Sequence, residues 1–261
     1  MSQYVLPHSN PQEDDRLALM SRMLDPHVRF RLEQAGVGKG WRCLEVAAGN
    51  GTISAWLADK VGPTGHVVTS DIDTRFIERL AGPNLEVRRI DLTRDPLGDG
   101  YDLVCGRAFL HHIPERIAIV GRLASAVRPG GCLLITEPDF HPALACDSPV
   151  MRDFWRGFLA WAADQGIDYF IGRRLGALLR RAGFAEVAVH GETLLFNGGS
   201  LTARYWKLTL DELGDAIVAS GLVARATLDE TRVLLDNADF WTWQNSYVAA
   251  LGRKPAQLET A

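Results

Sequence analysis

The chain has 261 residues, 47% of them apolar and 25 of them glycine, enough for one large α/β domain or at most two small ones. The net charge is −4, and the positive charge, almost all arginine, is scattered with no basic stripe, which argues against nucleic acid as a partner. Four cysteines (Cys43, Cys105, Cys132, Cys146) show no paired spacing and read as small core residues in a reducing, cytoplasmic setting. Neither a signal region nor an apolar run near the ~20 residues of a membrane span is visible, so no membrane is expected.

The first forty residues read as two amphipathic helices. Leu17, Met20 and Leu24 share one face; Asp25-Pro26 reads as a cap followed by proline at a first helical position. Val28, Leu32 and Ala35 mark the second helix, ended by Gly36 and Gly38. From Trp41 the chain alternates. Nearly continuous apolar runs at 42–48, 66–71, 85–90, 101–105 and 132–137 predict parallel strands covered on both faces. Helices are expected at 52–60, 74–80 and 114–127, the last stopped by Pro129-Gly130-Gly131. This rhythm predicts an α/β, doubly wound, Rossmann-like sheet with right-handed crossovers.

Regularity breaks after Glu137. An insertion over about 139–171 carries Met151, Phe154, Trp155, Phe158 and Trp161 at helical spacing. A helix at 173–182 and a long strand at 186–196 follow. A second insertion over about 198–240 has helices near 200–220 and 227–236, and a strand at 246–252 closes the fold. Five large residues on one helix exceed a thin amphipathic face, so part of the stripe is expected to face a cavity. With Tyr169, Phe170 and Trp206 it suggests an apolar, planar small-molecule acceptor.

Ligands of open α/β sheets bind beyond the carboxyl ends of the strands, so each end is a candidate site. After the first strand comes Arg42-Cys43-Leu44-Glu45-Val46-Ala47-Ala48-Gly49-Asn50-Gly51-Thr52. Its small residues let a ligand lie against bare backbone. A carboxylate beside a pyrophosphate site would gain nothing, because helix N-termini attract anions. Glu45 instead suits a ligand carrying positive charge.

This segment resembles motif I of the class I S-adenosylmethionine-dependent methyltransferases, with Ala47 where the family often has its first glycine. The resemblance covers about 41–190 well, the closing strand tolerably and the insertions not at all. It implies a seven-stranded sheet with an antiparallel last strand, a helical lid segment at 1–40, and a methyltransferase domain at 41–261 carrying both insertions. It implies S-adenosylmethionine as cofactor, held by Glu45, Ala47, Gly49 and Gly51. Asp71 would accept from the ribose, Ile72 pack on the adenine, and Asp91 and Leu92 meet the adenine edge. A main-chain carbonyl at Arg107 would receive the methionine ammonium, with the guanidinium turned away from the cation. Tyr4 resembles the tyrosine that folds over the cofactor.

Other functions of these residues stay open. Asp73 fits a helix cap, and Asp91 an ordinary loop acid. His111 and His112, in Gly106-Arg107-Ala108-Phe109-Leu110-His111-His112-Ile113-Pro114, suit a general base or a loop-closing hydrogen bond. Glu137, Asp139 and His141 either orient an acceptor or are solvated loop groups. No metal-ligand spacing, GxSxG elbow or P-loop lysine competes.

Methyl transfer to a small, largely apolar acceptor, in the manner of secondary metabolism, is the leading expectation, with a homo-oligomer left open. A non-methylating relative, a cyclase or binding scaffold, is the alternative. A nicotinamide oxidoreductase is the remoter one: Gly49-x-Gly51-x-x-Ser54 loosely imitates GxGxxG, but no Tyr-x-x-x-Lys dyad accompanies it.

Overall fold

In the computed structural model, which describes residues 12–256, the chain opens with one long helix, α1 (Glu13–Gln34). The expected break at Asp25-Pro26 does not occur: Pro26 lies inside α1. Asp25 pairs with Arg107 across the fold and with Arg29 one turn further along α1 instead of capping a new helix. Leu24, Val28 and Leu32 continue one buried stripe across the proline, so packing holds the helix together there.

β1 (Arg42–Val46), α2 (Thr52–Val61), β2 (His66–Asp71), β3 (Leu85–Arg89) and β4 (Tyr101–Arg107) follow. Then come α3 (Arg116–Ala126), β5 (Val127–Asp139), α4 (Pro149–Asp164), α5 (Leu175–Arg181) and β6 (Glu186–Asn197). α6 (Leu201–Ala219), α7 (Arg225–Asp236) and β7 (Trp241–Arg253) complete the fold. The sheet has seven strands in the order β3-β2-β1-β4-β5-β7-β6. β1 to β5 are parallel, and β7 runs antiparallel between β5 and β6. This is the expected Rossmann-like sheet with its antiparallel last strand.

Three elements differ from the sequence reading. The expected helix at 74–80 is a pair of 3₁₀ turns, Thr74–Phe76 and Glu78–Leu80, the first capped by Asp73, whose carboxylate accepts from the Arg75 amide. β5 begins at Val127, paired with Tyr101, so Pro129-Gly130-Gly131 lies within an irregular strand start and does not stop a helix. β7 begins five residues earlier than expected because Trp241, Thr242 and Trp243 pair with the far end of β6.

The apolar interior falls into three clusters. Two cover the faces of the parallel sheet. The third is separate: Phe140, Phe154, Trp155, Phe158, Trp161 and Trp206 join α4, α6 and α7 into a lid with its own core. The aromatic stripe of α4 therefore packs against itself and α6, with Trp155 and Trp206 rings 4.7 Å apart, rather than lining an open space. A groove of about 330 Å³ does lie at the lid's base, between Arg116, Leu159, Asp168, Tyr169 and Phe170. Among the described residues no helix is long and apolar enough to cross a membrane.

Candidate functional site

The turn after β1 is built from left-handed backbone. Gly49 and Gly51 have φ of 59° and 74°, and Ala47 sits at 50°. An alanine there carries strain that glycine would not. Ala108, leaving β4, has the same φ of 50°. The two alanines mark matching exits: the Ala48 amide donates to Ser70 O, and the Ala108 amide to Thr136 O. Gly51 is required by packing as well. A Cβ there would lie 2.3 Å from Leu80 and 2.8 Å from Ile77.

Acids surround this turn. Asp71, at the end of β2, accepts from the Gly49 amide at 2.9 Å and from the Asp73 amide at 3.2 Å. Glu45 is fully buried and accepts from Ser54 Oγ on α2. Burial pushes its carboxyl up to about 7 against that hydrogen bond and the nearby Arg107. Arg107 stretches from the end of β4 across the turn. Its guanidinium pairs with Asp25 at 2.7 Å and donates to Ser21 Oγ at 2.8 Å and Thr52 Oγ1 at 3.3 Å. Ser21 in turn donates to Asn50 Oδ1 at 2.8 Å. Thus α1 is bolted over the turn, and Leu17 packs on Gly49.

The remaining predicted positions are scattered, and only some lie at the surface. Ile72 is half exposed. Asp91 is held below the usual carboxylate range, chiefly by the Thr93 hydroxyl and amide, and belongs to a local turn. Leu92 is buried in the sheet core. Tyr4 lies outside the described residues.

The second cluster centres on His111. Its Nδ1 is 2.6 Å from Glu137 Oε2. The same carboxylate accepts from the amides of Phe109, Leu110 and His111. Glu137 is wholly buried, which raises it to about 7 despite those three donors. Burial, then Arg116, lowers His111 to about 3. The two titrate as a pair, and above pH 7 a Glu137 carboxylate faces a neutral imidazole that donates through Nδ1. This leaves Nε2 as the basic nitrogen. The His112 ring lies 3.9 Å from that of His111, tilted by 39°, and is also driven below the ordinary imidazole range by burial. Tyr169 of the lid lies 5.1 Å from His111. Arg116 ties the two parts together, donating to His111 O and Gly166 O.

The histidine pair and the turn were singled out in the sequence; the Asp25–Arg107 ion pair was not. Glu137 was visible only as an acid at a strand end. Its burial inside an apolar run was the available signal for a structural partner.

An open α/β sheet of this strand order, with an acid-ringed turn at its first strand end, defines a class I methyltransferase fold. The family model described as a methyltransferase domain matches residues 15–189, and the chain belongs to that family. Among curated relatives, the ubiquinone/menaquinone biosynthesis C-methyltransferase UbiE of Pseudomonas putida is 33% identical over 118 residues, 42% of this chain and 46% of that protein. The chain thus spans less than half the length of that relative. A protein of Bacillus halodurans C-125 described as a methyltransferase shares the fold with a TM-score of 0.57 at 21% identity, over 87% of this chain and 98% of that one. The [4+2]-cyclase SpnF shares it at 0.57 and 17% identity, over 89% and 81%.

Proposed function

We propose that the chain transfers a methyl group from S-adenosylmethionine to a small, largely apolar acceptor. The observation that carries this reading is charge. Three buried acids, Asp25, Glu45 and Asp71, crowd the turn at the end of β1; Asp25 is matched by Arg107 and Arg29, and burial pushes Glu45 up to about 7. A turn bordered by carboxylates fits a cationic nucleoside and opposes a phosphorylated one. Bound there, the cofactor supplies a methyl group already activated on a sulfonium.

The chain's own residues do the rest. Ala47, Gly49 and Gly51 present backbone without obstructing side chains. Asp71 offers its carboxylate to the ribose, Ile72, Asp91 and Leu92 border the base, and Tyr4 closes over the methionine end. The Arg107 carbonyl receives the ammonium while its guanidinium is held by Asp25. Transfer is an in-line displacement, so orientation and exclusion of water are the main contributions. Where the acceptor must lose a proton, an ionised Glu137 at Nδ1 offsets the burial that otherwise suppresses the basicity of His111, the pair takes the proton through Nε2, and His112 shapes the approach.

Calorimetry tests the cofactor: S-adenosylhomocysteine binds and NAD does not. The opposite result rejects the reading. A non-methylating reading is favoured by the shared fold of SpnF. It separates from ours by label: a scaffold or cyclase binds S-adenosylhomocysteine but moves no labelled methyl group from S-adenosylmethionine to any acceptor in a cell extract.

A further inference from the structure

The lid end of β7 holds a feature that neither the sheet nor the turn requires. Thr193 pairs with Ser246 and Leu195 with Trp243, so two steps along β6 face three along β7. The extra residue is a bulge, a device that breaks strand alternation and re-aims side chains. At the bulge sit two consecutive carboxamides, Gln244 and Asn245, each 2% exposed.

These amides are incompletely satisfied. Gln244 Nε2 and Asn245 Oδ1 are buried without a hydrogen-bond partner, as is the indole N–H of Trp206. Asn245 uses its amino group on Ser246 O. Buried polar atoms are normally paired, and each exception calls for an explanation such as an absent ligand or water. Their position narrows the choice. Asp139 pairs with Ser246, which carries Asn245 level with Phe140. The Phe140 ring packs edge-on to Trp206, at 5.7 Å. Tyr247, whose hydroxyl both amides approach as hydrogen-bonding neighbours without Gln244 Nε2 or Asn245 Oδ1 closing a full bond, also lies near Tyr205 of the lid and Arg107 beside the glycine turn. The group therefore lies between the proposed cofactor crevice and the lid, where a methyl acceptor has to sit. The charged side chains on its borders are already matched: Arg107 with Asp25, and Arg16 with Glu13 through two contacts of 2.7 Å.

We propose that the β7 bulge forms an acceptor subsite, in which the Gln244 and Asn245 carboxamides bind an uncharged oxygen of a ring-bearing molecule against Trp206. The inference rests on the methyltransferase reading and names its substrate class: a neutral aryl ketone or phenol. A carboxamide both donates and accepts, so it serves either a carbonyl or a hydroxyl. A phosphorylated or ammonium-bearing acceptor would meet no unmatched countercharge here.

The test uses the full chain, thermal unfolding, and 2-hydroxyacetophenone as the probe, with S-adenosylhomocysteine present. Residues kept for a ligand tend to weaken the empty protein. Gln244→Met and Asn245→Leu should each raise the melting temperature of the ligand-free protein by about 2–4 °C. The probe should stabilise wild type and lose its effect in both variants, while phenyl phosphate and benzylamine stabilise neither. Melting temperatures that fall in both variants would show amides satisfied within the fold or by buried water, and would overturn the subsite. So would equal stabilisation of wild type and variants by the probe. Failure of S-adenosylhomocysteine itself to stabilise wild type would instead strike the cofactor reading.

Discussion

The crevice beside β1 and the lid above β5 solve opposite problems. Around the turn, charge is dense and engaged: Arg107 with Asp25, Asp71 with the Gly49 amide, Glu45 with Ser54. In the lid, rings pack on rings and the polar atoms among them, the indole N–H groups of Trp155 and Trp206, stay unpaired. On the proposed reading the crevice has fixed ligand chemistry, whereas the lid is an apolar body that would discriminate through a few polar atoms. One region can stay constant while the other is altered.

If the two regions are that independent, injuring the lid core should spare the crevice. Phe158 is fully buried, within 6 Å of Trp155, Trp206 and Tyr169. Phe158→Ala should cost about 3–5 kcal/mol through transfer and cavity effects. Denaturant unfolding would register the loss, and S-adenosylhomocysteine affinity should stay within a few fold of wild type. Loss of affinity in step with stability would merge the regions into one unit.

The crevice responds to charge rather than volume. Asp25→Ala leaves Arg107 buried without its partner and should cost about 3 kcal/mol or more, whereas adding Arg107→Met should recover most of that. A double-mutant cycle by chemical denaturation measures the coupling, and additive losses would deny it.

The boundary between the regions is the Glu137–His111 pair. Protonating a Glu137 carboxyl with a value of about 7 removes the partner of the imidazole. Methyl transfer to a phenol should therefore fall as pH drops below about 7 and level off above it. Glu137→Gln should remove that inflection. A wild-type profile flat from pH 6 to 9 would exclude the pair as base. The smallest effect belongs to Ala47. Ala47→Gly relieves a left-handed alanine but loosens the unfolded chain, so stability should change by about 1 kcal/mol or less. A loss of several kcal/mol in thermal unfolding would mean that the methyl group packs where strain was inferred.

Much of the sheet was legible because its signals are local: each parallel strand is a short apolar run, and the turn from Glu45 to Thr52 is consecutive in sequence. Arg107 and Ser21, however, are bonded across 86 positions, and nothing local to either foretells the other. Pro26 reads as a helix boundary on local grounds, yet a buried stripe on both sides overrides it. The Gln244–Asn245 bulge depends on register with β6, and the aromatics of α4 read alike whether they pack on a cavity or on Trp206. Those outcomes are decided by neighbours distant in sequence.

The proline within α1 divides the helix into two unequal duties. Lacking an amide hydrogen, Pro26 leaves the Arg22 carbonyl without its usual rung in the helical ladder. The segment ahead of it carries Leu17, Ser21 and Asp25 onto the glycine turn, while Val28 and Leu32 behind it are anchored in the interior. The missing rung thus falls between the part of α1 that covers the turn and the part rooted in the sheet, and across it the helix is held by side chains rather than by its backbone ladder.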